Sequence, residues 1–254
     1  MPIEISEAPS VAGLPAQAEW ERLAAVIDHT LLKSDTTNAQ IRQLCSEAVE
    51  NGFHCVMLSP AHVAFASALV AGSSVKVATV VGFPLGASTT GTKRFEALDA
   101  IRLGAREIDM VMNIGALKSG DRSRVEADMR GMVEVVHDNG AQLKVTIETA
   151  LLSLEEKILA CQLAVAAGAD YVKSSTGFSH AGAMPADISL MRGVVGDKLG
   201  VKASGGIRTL DDRGKLRDSA TSYVASYATV KGGPNHEFGL GVMFFTSTQD
   251  QRPL

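Results

Sequence analysis

Between residues 24 and 226, short runs of apolar, often β-branched residues alternate with longer stretches whose apolar positions recur every three or four residues. That alternation is the pattern of parallel strands buried on both faces and covered by amphipathic helices. Strands are expected at 24–28, 53–58, 75–81, 107–112, 143–148, 170–174, 201–204 and 222–226. Helices are expected over 37–50, 60–70, 92–103, 122–138 and 153–167, the last opening on Ser153-Leu-Glu-Glu156. There a serine and a glutamate three residues on can satisfy each other's free amides. Eight short strands joined by helices of about a dozen residues point to an α/β fold, a (β/α)8 TIM barrel. No glycine fingerprint for a dinucleotide follows any strand, which weighs against an open nucleotide-binding sheet. The whole of 1–254 reads as one barrel domain, with an N-terminal arm at 1–20 and a C-terminal tail at 231–254.

Composition narrows the setting. The 254 residues are 46% hydrophobic and include 24 glycines, as expected for a globular protein with a large core. A formal charge of −4 gives no support for nucleic acid or an anionic membrane as a partner. No apolar run approaches the roughly 20 residues a bilayer requires. The first residues lack a basic stretch leading into an apolar one, so no secretory signal is expected. Cys45, Cys55 and Cys161 are odd in number and show no C-x-x-C spacing, which favours a reduced, cytoplasmic setting. The six histidines are scattered, and no local pattern proposes a metal site.

In a barrel of this type the working face lies at the carboxyl ends of the strands. Those ends carry Asp28-His-Thr30, Asp109, Glu148-Thr149, Lys173-Ser-Ser-Thr176, Lys202 with Ser204, and Ser226. Two of the phrases share one form: Val172-Lys-Ser-Ser-Thr-Gly177 and Val201-Lys-Ala-Ser-Gly-Gly206. Lysine at a strand end can simply extend to solvent. A buried amine beside a second ammonium, however, is how a protein makes lysine nucleophilic near neutral pH. An unperturbed lysine, with a pKa of about 10.4, is neutral for under ~0.1% of the time at pH 7. Asp109 sits mid-strand in Glu107-Ile-Asp-Met, where a carboxylate needs a partner, either structural or catalytic. Gly205-Gly206, leading into a seventh helix, suits the backbone to an anion such as phosphate.

Five stretches carry a resemblance. They are Ile27-Asp-His-Thr-Leu-Leu-Lys33, Val81-Gly-Phe-Pro-Leu-Gly-Ala-Ser88, Glu107-Ile-Asp-Met-Val-Met-Asn-Ile-Gly-Ala-Leu-Lys118, Asp170-Tyr-Val-Lys-Ser-Ser-Thr-Gly177 and Gly200-Val-Lys-Ala-Ser-Gly-Gly-Ile-Arg-Thr209. In order, they resemble the class I, Schiff-base deoxyribose-phosphate aldolase family. The resemblance implies that Lys173 forms the Schiff base, Lys202 tunes it, and Asp109 relays protons. It places Asp28 and Thr30 near substrate hydroxyls, and Thr176, Gly177, Gly205, Gly206 and Ser226 on the phosphate side. It further implies small-molecule aldehyde and sugar-phosphate substrates, no cofactor and no metal; a homodimer or higher homo-oligomer is expected. Two other readings stand beside it: a metal-dependent lyase on the same barrel, and a sugar-phosphate-binding relative without turnover. The chain departs from the family at three places. Met57 stands where a cysteine is frequent, Val224 where the eighth strand usually has glycine, and the tail lacks a tyrosine.

Overall fold

In the computed structural model, which describes Glu21, residues 24–207 and the backbone of 241–245, the apolar runs pair in chain order around a closed barrel. The strands are β1 (Ile27–Leu31), β2 (Cys55–Leu58), β3 (Lys76–Val81), β4 (Glu107–Val111), β5 (Gln142–Thr146), β6 (Tyr171–Lys173), β7 (Gly200–Ser204) and β8 (Gly241–Phe245). The first seven pair in parallel. Around them run helices α1 (Asn38–Asn51), α2 (Val63–Leu69), α3 (Thr90–Arg102), α4 (Ile114–Lys118), α5 (Arg122–His137), α6 (Leu154–Ala167) and α7 (Pro185–Val195).

Local chemistry sets the boundaries. Thr37 caps α1, and Gly52, in the left-handed region that other residues avoid, ends it. The capping box read from Ser153 and Glu156 is present at the start of α6. Residues 24–26, expected in the first strand, lie before it: Ala24 is helical and 25–26 turn, with the Ala25 amide donating back to the Glu21 carbonyl. That moves β1 forward and puts both Asp28 and Thr30 inside it. Helices α4 and α7 were not anticipated, since their apolar spacing is short and α7 follows a long glycine-rich loop.

Closure differs from expectation. The strand expected at 222–226, with Val224 and Ser226, lies outside the described residues, as does any helix after β7. The gap between β7 and β1 is filled by β8, drawn from the stretch assigned to the tail, and it runs antiparallel to both neighbours. Gly241-Val-Met-Phe-Phe245 has the β-branched and aromatic character of a strand. By pairing with both open edges it satisfies their ladder groups.

Alternation along each strand divides inside from outside. His29 faces outward to Glu47 on α1, so Asp28 and Thr30 face the barrel interior. Asp109, Lys144, Lys173 and Lys202 also face in, as their mutual ion pairs require. On the β2–β3 side the interior is apolar, lined by Cys55, Met57, Ala78 and Val80. Tyr171 packs at the strand starts against Gly200, where a Cβ would meet the ring at 2.0 Å. The barrel interior therefore has an apolar wall and a charged one.

Candidate active site

The charged wall is built by register. Lys173 on β6 pairs with Lys202 on β7, so two lysines stand side by side. The small residues of the two repeated phrases hold them there. Ser174 Oγ accepts from the Ser204 amide at 3.0 Å, Ser175 Oγ donates to the Ser204 carbonyl at 2.7 Å, and the Ser175 amide donates to Ser204 Oγ at 3.2 Å. Serine after lysine is thus a cross-link between strand ends.

Both amines meet one oxygen. Lys173 Nζ donates to Asp109 Oδ2 at 2.8 Å and Lys202 Nζ donates to the same atom at 2.6 Å. Lys202 also donates to Asp28 Oδ2 at 2.7 Å, which receives Lys144 Nζ at 2.9 Å. Lys144 is paired in addition with Glu107, which turns to His54 at 2.6 Å and Lys76 at 3.0 Å. The ion pairs therefore run from Lys173 down the interior to the partly exposed His54 and Lys76. All six central groups are buried.

Burial and pairing pull these groups in different directions. Burial pushes the Lys173 ammonium down to about 8, with Asp109 opposing and Lys202 assisting. Burial favours the neutral acid at Asp109, but Lys173 and Lys202 outweigh it and hold the carboxyl well below its usual range. At Lys144 burial likewise favours the neutral amine, yet Asp28 and Glu107 outweigh it and raise its affinity for the proton. Of the two, Lys173 is the amine poised to lose its proton near neutrality.

Above the lysines the loops are interlocked. Glu148 holds φ at 56°, the left-handed region costly for a side-chain-bearing residue, and is nearly inaccessible. Its Oε2 accepts from the Thr176 amide at 3.0 Å and from Thr176 Oγ1 at 2.5 Å, fixing the turn into Gly177. Gly205, at φ 85°, lies so close that a Cβ would meet Ser175 Oγ at 2.6 Å, and its carbonyl accepts from the Ala183 amide. Thr176, Gly177, Gly205 and Gly206 thus cluster at the ends of β6 and β7. Thr30 lies on the interior of β1, its hydroxyl donating to the Asp28 carbonyl at 2.9 Å.

Lys144 was not singled out in the sequence, and Glu148 was noted at its strand end but given no role. The signal for Lys144 was the same one that marked Asp109, a charge inside an apolar strand, and register pairs the two. For a metal, Asp28, Cys55 and Glu107 bring three donor atoms within 4.8 Å of one another. Both carboxylates are committed to lysines, and burial pushes the Cys55 thiol up, leaving it protonated and a poor ligand. The donor set suits ion pairing rather than a metal.

A barrel holding a lysine of depressed pKa beside a carboxylate at its carboxyl face has the makings of a carbon–carbon lyase that needs no metal. The profile of the DeoC/LacD family of aldolases matches residues 22–233, and the chain belongs to that family. It is 57% identical over 188 residues to a deoxyribose-phosphate aldolase of Geobacillus sp. (strain WCH70), covering 74% of this chain and 84% of that one. Identity to a deoxyribose-phosphate aldolase of Staphylococcus haemolyticus (strain JCSC1435) is 52%, over 82% of this chain and 94% of the relative. The barrel superposes on that of the deoxyribose phosphate aldolase of Aeropyrum pernix, described as tetrameric, with a TM-score of 0.74 at 34% identity, covering 79% and 84% of the two chains.

Proposed function

We propose that this protein reversibly cleaves 2-deoxy-D-ribose 5-phosphate to acetaldehyde and D-glyceraldehyde 3-phosphate through a Schiff base on Lys173. The observation that carries the reading is the single Asp109 oxygen shared by Lys173 and Lys202. Neutral Lys173 adds to the substrate aldehyde and, with loss of water, gives an iminium. The C2–C3 bond then breaks as the C3 hydroxyl loses its proton, and its electron pair becomes an enamine. Protonation of the enamine at C2 and hydrolysis of the iminium release acetaldehyde. Asp109 and Lys202 carry the protons. Asp28 and Thr30 meet substrate hydroxyls, and the backbone around Thr176, Gly177, Gly205 and Gly206 receives the phosphate, joined by Ser226.

On this reading residues 1–254 form one aldolase domain acting on small molecules in the cytoplasm, as a homodimer or larger assembly. Among the described residues no helix is long and apolar enough to cross a membrane. Borohydride reduction in the presence of acetaldehyde, followed by peptide mass mapping, tests the chemistry. One reduced two-carbon unit is expected on Lys173 and none on Lys173→Ala. An adduct on another lysine, or none, would overturn the assignment.

A further inference from the structure

One hydroxyl in the barrel interior is unexplained. Thr146 ends β5, is fully buried, and its Oγ1 has no hydrogen-bond partner. Burying a hydroxyl without a partner costs stability. Thr79, another fully buried threonine, donates to the Leu58 carbonyl at 2.8 Å. Thr146 lies two residues after Lys144, so it shares the interior face of β5. It is also in register with Lys173 on the neighbouring strand. A second orphan lies on the other side of β5: Asp109 Oδ1, on β4, accepts no hydrogen bond, while its companion oxygen holds both lysines. Thr146, on the strand beside Lys173, and Asp109, one strand further round, therefore each keep one buried side-chain oxygen without a hydrogen bond on the same side of Lys173.

We propose that Thr146 is a further catalytic residue, whose hydroxyl hydrogen-bonds the oxygen of the aldehyde carbon while that carbon is bonded to Lys173. The inference rests on the Schiff-base reading above. In the step concerned, the Lys173 nitrogen lone pair forms a bond to the carbonyl carbon. The π pair moves to oxygen, and the proton leaving nitrogen neutralises it, giving a carbinolamine. A second proton, supplied by the Asp109–Lys202 pair, then lets the C–O bond break. Water departs, and the nitrogen lone pair completes the iminium. In the addition the oxygen takes the π pair, and in the departure it takes the C–O pair, so electron density collects on it beside Lys173 in both halves. The Thr146 hydroxyl, which donates to nothing in the free protein, supplies a hydrogen bond only when that oxygen is present. Its desolvation is already met by the fold, the arrangement that favours the reacting state over the resting one.

The fold and the reaction make opposite demands on this atom. Thr146→Val removes the hydroxyl and nearly keeps the volume, so the free protein loses no hydrogen bond and should melt no lower than wild type. The same change should slow borohydride-trapped adduct formation with acetaldehyde, and lower kcat/KM, by about tenfold. Thr146→Ser, which retains the hydroxyl, should trap within about threefold of wild type. Wild type, Thr146→Val and Thr146→Ser are compared side by side, with melting temperature measured on each. A Thr146→Val protein that traps at the wild-type rate overturns the inference while leaving the lysine chemistry intact. So does a Thr146→Ser protein as slow as Thr146→Val, since a role in packing alone would affect both. A wild-type protein that traps nothing on Lys173 removes the lysine reading and this inference with it.

Discussion

Replacing Lys202 with leucine should disable the enzyme near neutral pH without touching the covalent lysine. The two amines hydrogen-bond one oxygen of Asp109, at 2.8 and 2.6 Å, and so are no more than 5.4 Å apart. Two unit charges ~5 Å apart interact by ~3 kcal/mol at an effective dielectric of about 20, or about two pKa units. Lys202→Leu removes that repulsion and leaves Asp109 with less positive charge to share, so both effects favour the protonated form of Lys173. Its pKa should climb from about 8 to about 10. At pH 7 the neutral fraction then falls from roughly one in ten to roughly one in a thousand.

The variant should still fold, because neither carboxylate is abandoned. Asp28 keeps Lys144 and Asp109 keeps Lys173. The assay is the rate of reductive trapping with acetaldehyde from pH 6 to 10.5, alongside the acid limb of kcat/KM. The limb should move up by about two units, so the deficit in trapping rate should shrink as pH rises to the smaller loss left by removing Lys202 from the proton relay. A deficit of the same size at every pH would refute electrostatic tuning and point to lost geometry. A limb that stays in place would refute it as well.

Lys173 should also be a thermodynamic burden to the fold. Its folded pKa of about 8 lies below the unfolded value, so the penalty is fully present below pH 8 and disappears as pH rises toward 10.5. Lys173→Met should accordingly be the more stable protein at pH 7, by about 3 kcal/mol at most, with the gap closing by pH 10.5; denaturant titrations at the two pH values check it, and a constant gap refutes it. Glu148→Gln weakens the hold on Thr176, so KM for deoxyribose 5-phosphate should rise on the order of tenfold. Turnover of unphosphorylated deoxyribose should not change, and equal losses on both substrates would contradict the loop's phosphate role. Cys55 faces the interior beside Met57, but burial keeps its thiol protonated. Wild type and Cys55→Ser should therefore lose activity in concentrated acetaldehyde at the same rate, and Met57→Cys faster; a protective effect of Cys55→Ser would show that the thiol reacts.

Much of the barrel could be read from its period, because strands buried on both faces advertise themselves as continuous apolar runs. Asp109, Lys173 and Lys202 stood out for the complementary reason, being charges where such runs should have none. Lys144 obeyed the same rule and was passed over, because it sits inside Gln142-Leu-Lys-Val-Thr146 and not at the strand's carboxyl end. Its importance depends on β1, whose Asp28 it meets across more than a hundred residues of sequence. Glu148 was visible as a polar residue at a strand end, but its hold on Thr176 depends on a left-handed backbone that no residue type signals. The closing strand defeated sequence reading differently. A strand pairing antiparallel with both neighbours obeys no helix–strand period, and Gly241–Phe245 is short enough to pass for a tail.

The same network explains why Lys173, and not the equally enclosed Lys144, should be nucleophilic. Lys144 and Lys173 sit on adjacent strands of one wall, and both are cut off from water. Desolvation alone would push both amines toward neutrality. Lys144 has Asp28, Glu107 and Asp109 around it, and this surplus of negative charge raises its proton affinity. Lys173 has a single carboxylate, and Lys202 claims the same oxygen of it. The local count of carboxylates per lysine thus decides which amine stays an ion-pair partner and which is released for chemistry. Lys202 serves by using up Asp109, and Lys144 serves by holding Asp28, whose other partner is Lys202. Moving one carboxylate toward β6 would undo the arrangement: a Ser204→Asp variant should hold Lys173 protonated and trap no adduct at pH 7, yet trap at pH 10. Efficient trapping by that variant at pH 7 would show that burial, and not the sharing of Asp109, sets the reactivity of Lys173.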